Sequence, residues 1–509
     1  MKADHSYAEL ITRSGEAATL ASCSALLGWD EQTYMPHAGA EHRGRQMAAL
    51  AGLHHEKATH PRIGELLGEL EGSDLTADPE SVSAVNVREL RRNFDRLTRL
   101  PRRLVEELAR VTSIGQQEWV EARRLKDFGV LRPTLETIFA LKRDEAACLR
   151  IGDDPYDSLL DEYEPGARGD ALARLFGALR DGLVPIVAEI LGAGRPSSST
   201  VLNRDYPVDR QRIFGEAIAV AVGFDFRRGR LDTTAHPFCT MIGPGDCRIT
   251  TRFDPRDLGD GVFGILHEVG HGLYDQGLDP AHFGTPMGEA VSLGVHESQS
   301  RLWENLVGRG RAFWSYAFPM ARQVFHDVLH DVDADEFHRA VNLVEPSLVR
   351  VRADEVTYNL HVIIRFELER ALLAGDLDVS ELCGAWDDAY ASVLGLRPPD
   401  DALGCLQDIH WSAGLVGYFP TYTLGNLYAA QLFDRFVADE GDPSGAFARG
   451  DFDPLLAWLR DRVHRHGRRY PPAQLIERAT GSPLDHRPFL AALARKYGPL
   501  YGVRLAPAP

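Results

Sequence analysis

Residues 262–273 read VFGILHEVGHGL and contain the pattern His267-Glu268-x-x-His271. On a helix, residues i and i+4 lie one turn apart on the same face, so both imidazoles can ligate a single Zn²⁺. Glu268 then lies beside the metal, where it can take a proton from a water that the metal makes more acidic. The pattern therefore predicts a catalytic metal site.

The residues around this pattern predict the helix that the chemistry needs. Asp254-Pro255 and Asp260-Gly261 supply turn and capping residues just upstream. Apolar residues recur at helical spacing and form a buried face that leaves the two histidines outside it. This face consists of Val262, Ile265, Leu266, Val269 and Leu273. The alternative interpretation is an ordinary helix that carries two histidines without a metal.

Composition limits the partners and the compartment of the protein. Acidic residues outnumber basic ones by 74 to 56 in 509 residues, and the net charge is −18. This argues against a nucleic-acid or anionic-membrane partner and favours a soluble protein. Residues 1–20 lack the apolar core of a signal peptide, and no apolar run approaches the ~20 residues of a membrane span. Six scattered cysteines suit reduced thiols, so we expect a cytoplasmic enzyme.

Helical periodicity dominates the rest of the chain. One long apolar face runs through 356–372 and stops at Gly375, and similar stripes recur elsewhere. The clearest strand signal lies at 246–253, after the turn residues 243–245. We therefore predict a mainly α fold: one large helical domain over residues 1–509, with a deep active-site cleft and a small sheet or hairpin near the metal.

Residue spacing alone does not decide which glutamate is the third protein ligand of the metal. Glu289 and Glu297 both follow the histidines at a distance that suits a ligand on the next helix. On a period of 3.6 residues, positions 289 and 297 share a helical face, so the carboxylate that does not bind metal can orient a histidine. Sequence geometry favours neither residue.

Further motifs stand in a fixed order along the chain. They are Leu27–Pro36 (LGWDEQTYMP), Pro155–Asp157 (PYD), Tyr163–Gly166 (YEPG), His236–Phe238 (HPF), Asp246–Thr250 (DCRIT), His296–Gln299 (HESQ), Arg350–Asp354 (RVRAD) and Gly404–Trp411 (GCLQDIHW). With the His-Glu-x-x-His helix, they resemble the carboxypeptidase Taq family of metallocarboxypeptidases over nearly the whole chain. The one departure is Val349, which replaces isoleucine in the family's (I)R-x-x-A-D pattern.

The resemblance implies a ligand set. It carries over His267, His271 and Glu297 as metal ligands and Glu268 as the general base, and it makes Glu289 a carboxylate behind the ligands or along the substrate cleft. Three protein ligands leave the fourth position open, as in catalytic sites. Zn²⁺ is the expected ion, one per subunit, and Co²⁺ accepts the same ligands.

A carboxypeptidase also needs a group that grips the free carboxylate of its substrate. A guanidinium does this best, because its fork pairs two N–H donors with two oxygens. Arg350 is the first candidate, Arg248 the second and Arg352 the third. Asp246 can instead pair with Arg248 and shape the cleft wall.

Polar groups near these motifs are candidates for stabilising the oxyanion. His410, Tyr418 and Tyr422 are the donors close to the Gly404–Trp411 motif, although both tyrosines can equally be core aromatics with a satisfied hydroxyl.

His236 and His296 are expected near the metal, His296 as packing behind a ligand. The block with Trp29 and Met35-Pro36 predicts a helical lid or lobe, without a chemical role.

The sequence therefore predicts a metal-dependent carboxypeptidase that releases single C-terminal amino acids from peptides. The resemblance implies broad specificity with proline disfavoured, and a homodimer. Two alternatives remain: an endopeptidase or dipeptidyl-carboxypeptidase of similar helical fold, and a scaffold relative without catalysis.

Overall fold

The computed structural model describes residues 2–194 and 199–505. These residues form twenty α-helices and one three-stranded sheet. The mainly helical fold with a small sheet beside the predicted metal-binding helix is therefore confirmed. Within the described ranges, no helix combines the length and apolar character needed to cross a membrane.

Nine helices precede the sheet. They are α1 (Lys2–Thr33), α2 (Ala40–Ala58), α3 (Pro61–Leu70), α4 (Val82–Arg99), α5 (Arg102–Leu125), α6 (Arg132–Leu149), α7 (Pro155–Tyr163), α8 (Gly169–Gly192) and α9 (Val208–Ala221). Eleven follow it. They are α10 (Leu258–Gly277), α11 (Leu293–Arg301), α12 (Arg311–Val324), α13 (Ala334–Ala340), α14 (Tyr358–Ala374), α15 (Leu382–Leu394), α16 (Pro420–Glu440), α17 (Ser444–Phe447), α18 (Asp453–Arg462), α19 (Pro472–Thr480) and α20 (Arg487–Tyr501).

The sheet contains β1 (Gly229–Thr233), β2 (Cys239–Gly243) and β3 (Asp246–Thr251) in the order β1-β3-β2. Strand β3 pairs parallel to β1 and antiparallel to β2. The turn between β2 and β3 contains Gly245 at φ +82°, a left-handed conformation that favours glycine. The predicted hairpin is confirmed, and it packs on α10.

Helix α10 carries the His-Glu-x-x-His pattern. Asp257 caps its N-terminus, because the Asp257 side chain accepts a hydrogen bond from the backbone N–H of Asp260. The apolar face predicted from the sequence is buried, with Val262, Ile265, Leu266, Val269 and Leu273 at 0–2% exposure. This face fixes the rotation of α10 and so fixes the direction of its two histidines.

Helix α11 starts later than the sequence suggested. Ser292 caps it by accepting from the backbone N–H of Val295 at 3.1 Å. Glu289 lies before this cap in extended backbone, after the short 3₁₀ turn Pro286–Gly288. The prediction that Glu289 shares a helical face with Glu297 was therefore wrong.

Beyond Arg301 the chain continues as a π-helical stretch, Leu302–Gly308.

Two glycines, one on α10 and one on α16, allow these helices to approach α11 closely. A Cβ atom on Gly270 of α10 would lie 2.5 Å from both the Gln299 carbonyl oxygen and the Ser300 Cα. A Cβ atom on Gly425 of α16 would lie 2.4 Å from the Cγ atom of Glu297. Any larger residue at either position would force α11, and Glu297 with it, to move.

We predict that Gly270→Ala lowers the free energy of unfolding by about 1–3 kcal/mol, the usual cost of overpacking a close contact. The reason is that the added methyl meets backbone atoms, which cannot rotate away. Urea denaturation measures the change. The matched control is Gly177→Ala in α8, where nothing lies within 4 Å of the added atom. That variant should be as stable as the parent or up to about 1 kcal/mol more stable. Equal stabilities for the two variants would contradict the argument.

Candidate active site

The two histidines of α10 face one carboxylate of α11. The Nε2 atoms of His267 and His271 lie 3.6 and 3.5 Å from Oε2 of Glu297. Ligand atoms around a tetrahedral Zn²⁺ are about 3.4 Å apart when each is about 2.0–2.2 Å from the ion. The three side chains therefore can hold one metal ion, and the chemistry of two imidazoles with one carboxylate suits Zn²⁺ or Co²⁺.

Glu289 is not part of this cluster. Its carboxylate pairs with Nη2 of Arg468 at 2.9 Å, and its side chain is 44% exposed. Glu289 therefore does not support the ligands from behind, and the alternative expectation, a carboxylate along the substrate cleft, stays a prediction. The structure brings Glu297, rather than Glu289, together with the two histidines.

Hydrogen bonds at Nδ1 fix both imidazole rings. Nδ1 of His267 lies 2.9 Å from Oε2 of Glu304, and Nδ1 of His271 lies 3.1 Å from the backbone carbonyl of His296. With a proton on each Nδ1, both Nε2 lone pairs are free to face Glu297. Glu304 lies on the π-helical stretch. The sequence did not predict its role, because no local sequence pattern predicts a π-helix.

His296 contributes a second contact that holds the His271 ring in place. Its Nδ1 lies 2.6 Å from Nδ1 of His271, and its Nε2 lies 3.0 Å from Oδ1 of Asp275. His296 therefore packs behind a predicted ligand, as expected from the sequence. His236, by contrast, is exposed.

Arg301 on the last turn of α11 orients Glu297. Its Nε donates to Oε1 of Glu297 at 2.7 Å, and its Nη1 donates to Glu304 at 3.2 Å. Burial raises the pKa of the Glu297 carboxyl, but the Arg301 charge and the histidines outweigh it and hold this pKa well below its usual range. Glu297 is thus an anion whose other oxygen, Oε2, lies near the Nε2 atoms of both histidines and accepts a hydrogen bond from the Ser300 hydroxyl at 3.2 Å. Sequence reasoning missed Arg301 as well.

Glu268 has a different environment from Glu297. Its side chain is buried, and its Oε2 atom has no hydrogen-bond partner among the described residues. Burial raises the pKa of Glu268 to about 7. A carboxyl group with this pKa can take up and give back a proton near neutral pH.

Arg350 is buried and has polar partners on each arm of its guanidinium. Nε and Nη2 donate to Oδ1 of Asp408 at 3.0 and 2.7 Å, and Nη1 donates to the hydroxyl of Tyr358 at 3.0 Å. Arg365 holds the other oxygen of Asp408 at 2.5 Å. Two cations therefore share one carboxylate, which leaves an excess of positive charge at this point.

Arg248 lies on β3 and forms a closed pair. Its Nε and Nη2 donate to the two oxygens of Asp246 at 2.8 and 2.7 Å. The guanidinium lies over the Trp29 ring at 4.1 Å from its centroid. The expected pairing with Asp246 is therefore present, and Trp29 of α1 is packed on it. Arg352, the third candidate, is exposed.

His410, Tyr418 and Tyr422 form one half-buried cluster. Nε2 of His410 lies 3.1 Å from the Tyr422 hydroxyl, and the Tyr418 and Tyr422 ring centroids are 5.5 Å apart. Burial raises the pKa of both phenols, and the negative charge of Glu297 adds to this shift. Both hydroxyls therefore keep their protons and remain hydrogen-bond donors.

Tyr358 connects Arg301, the partner of Glu297, to Arg350. Its ring lies under the guanidinium of Arg301 at 4.3 Å, and its hydroxyl accepts from Arg350. A continuous path of contacts therefore runs from Glu297 through Arg301 and Tyr358 to Arg350.

A helix with two histidines one turn apart and a carboxylate from the following helix is typical of metallopeptidases. The model of the carboxypeptidase Taq (M32) metallopeptidase family matches residues 9–497, and the chain belongs to this family. The protein is thus a metallocarboxypeptidase, which implies a metal cofactor.

Named relatives agree with this placement. The chain is 51% identical to thermostable carboxypeptidase 1 of Thermus thermophilus, with 99% of this chain and 100% of that protein covered. It is 35% identical to carboxypeptidase 1 of Bacillus subtilis over 94% of this chain and 95% of that protein. The crystal structure of the M32 carboxypeptidase from Deinococcus radiodurans R1 superposes with a TM-score of 0.95 at 46% identity, covering 98% of this chain and 100% of that one.

We predict that Glu304→Gln weakens metal binding by about 10–100-fold, the usual effect of losing a partner behind a histidine ligand. The neutral amide no longer holds the Nδ1 proton of His267 with a charge. Competition with a chromogenic chelator measures the affinity. Glu289→Gln is the matched control and should bind metal like the parent. A loss of affinity in the control alone would reverse our placement of the two carboxylates.

Proposed function

We propose that His267, His271 and Glu297 bind one Zn²⁺, with Co²⁺ as the alternative ion, and that Glu268 is the general base. The observation that carries this proposal is the pair of distances, 3.6 and 3.5 Å, between the two imidazole Nε2 atoms and one oxygen of Glu297. The unpartnered Oε2 of Glu268 supports the second part.

The proposed chemistry divides between the ion and the chain. When bound, the ion supplies Lewis acidity, which polarises a peptide carbonyl and makes water more acidic. Glu268 takes a proton from the attacking water at its Oε2 atom and later passes it to the nitrogen of the leaving amine. Its pKa of about 7 suits both transfers at neutral pH. Tyr418, Tyr422 and His410 are the proposed donors to the oxyanion.

Recognition of the free carboxylate is assigned to Arg350 rather than to Arg248. Arg248 is matched one-to-one by Asp246, whereas Arg350 and Arg365 share the single charge of Asp408. A buried excess of positive charge is complementary to a substrate carboxylate. The contact of Arg350 with Tyr358 places it on the path that leads to Glu297.

The proposed substrates are peptides with a free C-terminus, from which the enzyme releases single amino acids with broad specificity and with proline disfavoured. We further propose that residues 1–509 act as one domain, that two chains form a homodimer and that the enzyme works in the cytoplasm. An endopeptidase or dipeptidyl-carboxypeptidase cut remains the alternative, and the substrate test below separates it.

For Glu268→Gln, turnover should fall by about 100–10,000-fold, because the amide cannot accept the proton of the attacking water. Metal content, measured by elemental analysis, should stay at one ion per chain. Glu268→Asp keeps a carboxylate on a shorter side chain and should retain more activity than the amide. A glutamine variant that works at the parent rate would remove Glu268 from the role of base.

For Arg350→Lys, the KM for a blocked dipeptide with a free carboxylate should rise about 10-fold or more, since lysine keeps the charge but loses the two-pronged donor. The unmodified enzyme should cleave the free acid and leave the C-terminal amide of the same dipeptide intact. Arg248→Lys is the comparison. A KM change in Arg248→Lys alone would move the carboxylate site there, and equal cleavage of acid and amide would favour the endopeptidase.

A further inference from the structure

Four of the six cysteines lie in two close pairs. The Sγ atoms of Cys383 and Cys405 are 2.8 Å apart, whereas those of Cys239 and Cys247 are 3.7 Å apart. A disulfide bond is about 2.05 Å long. The first pair is already closer than two unbonded sulfur atoms normally approach, so little movement separates it from a covalent bond.

We propose that Cys383 and Cys405 form an oxidisable thiol pair, which a hydroperoxide converts to a disulfide. The bond would tie the first turn of α15 to the segment 401–411, which carries Asp408 and His410. All six cysteines are free thiols in the structure. The proposal does not depend on the proposed function, because its readouts are thiols and stability rather than peptide cleavage.

The two thiols are suited to different steps. Cys383 is half-buried and can meet a small oxidant, whereas Cys405 is 6% exposed and lies behind it. Contact with Cys383 and burial raise the pKa of the Cys405 thiol, so Cys405 keeps its proton until its partner has reacted. Cys383 therefore reacts first and Cys405 resolves the product.

The reaction balances with a hydroperoxide as the two-electron oxidant. The Cys383 sulfur attacks one peroxide oxygen, the O–O bond breaks, and the Cys383 thiol proton leaves with the other oxygen as water or an alcohol. The product is a sulfenic acid. The Cys405 sulfur then attacks the Cys383 sulfur, the S–O bond breaks, and the hydroxyl leaves as water with the Cys405 proton. Two thiols are oxidised, and one peroxide is reduced.

The segment that the bond would anchor has little regular backbone structure of its own. Residues 401–411 run through turns and bends, and side chains hold them in place. Trp119 donates to the carbonyl of Leu406 at 3.0 Å, and Gln407 accepts from Arg365 at 3.0 Å. A cross-link restricts the unfolded chain and therefore adds stability to such a segment.

The second pair is a control within the same chain. On the β2–β3 hairpin, Cys239 is opposite Ile249, and Cys247 is opposite Met241, so the two cysteines are diagonal neighbours. Diagonal positions are about 7–8 Å apart. Disulfides need Cα atoms about 4.4–6.8 Å apart, so this pair should stay reduced.

The test uses the full chain with its metal, treated with hydrogen peroxide. Thiols counted in denaturant should fall from six to four, and peptide mapping without reductant should find Cys383 joined to Cys405. The thermal midpoint should rise by about 3 °C and return to its starting value after addition of a dithiol reductant.

Cys383→Ser and Cys405→Ser should each abolish the pairing and the shift in Tm, whereas Cys239→Ser should keep both. Six remaining thiols, a bond mapped to Cys239 and Cys247, or an unchanged Tm in the oxidised parent would each overturn the proposal. The peptide mapping is made on the unmodified chain, so it tests the proposed disulfide even if a serine variant fails to fold.

Discussion

The contact between α10 and α11 at Gly270 is the constraint on which the site depends. Gly270 lies between the two histidines of the motif, where even one methyl group would meet the backbone of Gln299 and Ser300. At this separation Glu297 can reach both His267 and His271 with one oxygen. Gly425 likewise lets α16 approach the side chain of Glu297, so Glu297 is packed against both α10 and α16. The hydrophobic stripe of α10 is the other half of the arrangement, because it sets the rotation of the histidines.

Electrostatics then give two neighbouring glutamates opposite properties. Glu297 receives a hydrogen bond from Arg301 and remains charged, whereas Glu268 lies outside that network and has a raised pKa because burial penalises its charge. Pairs of carboxyl groups whose surroundings separate their pKa values are a common basis for division of labour in hydrolases. Glu304 completes the pattern: it is an anion behind His267, tied to the same Arg301 that orients Glu297. Arg301 thus supports two of the three proposed metal ligands: it bonds Glu297 directly, and it supports His267 through Glu304.

The sequence predicted features that depend on neighbouring residues and missed features that depend on residues far apart in the chain. The buried face of α10 and the strand that follows the turn at 243–245 were predicted, because periodicity and turn residues report on adjacent positions. Spacing left the choice between Glu289 and Glu297 open, and only the family resemblance pointed to Glu297. The start of α11 at the Ser292 cap, which spacing does not reveal, places Glu289 outside the helix. Glu304 was missed because a π-helical stretch changes the direction of side chains after Arg301. The partner of Arg350 lies 58 residues away, and no periodicity connects such positions.

The cluster around Asp408 joins recognition to stability. Arg350 and Arg365 are cations in a buried region, and bringing two such charges together costs free energy unless an anion compensates them. Asp408 compensates only one charge, so the cluster is more stable when a second anion lies against it. We propose a substrate carboxylate as that anion, so that Arg350 favours an acidic ligand although its own donors are already hydrogen-bonded. The proposed disulfide would anchor this turn-rich segment at Cys405, three residues before Asp408, and so would join the carboxylate shared by the two arginines to helix α15.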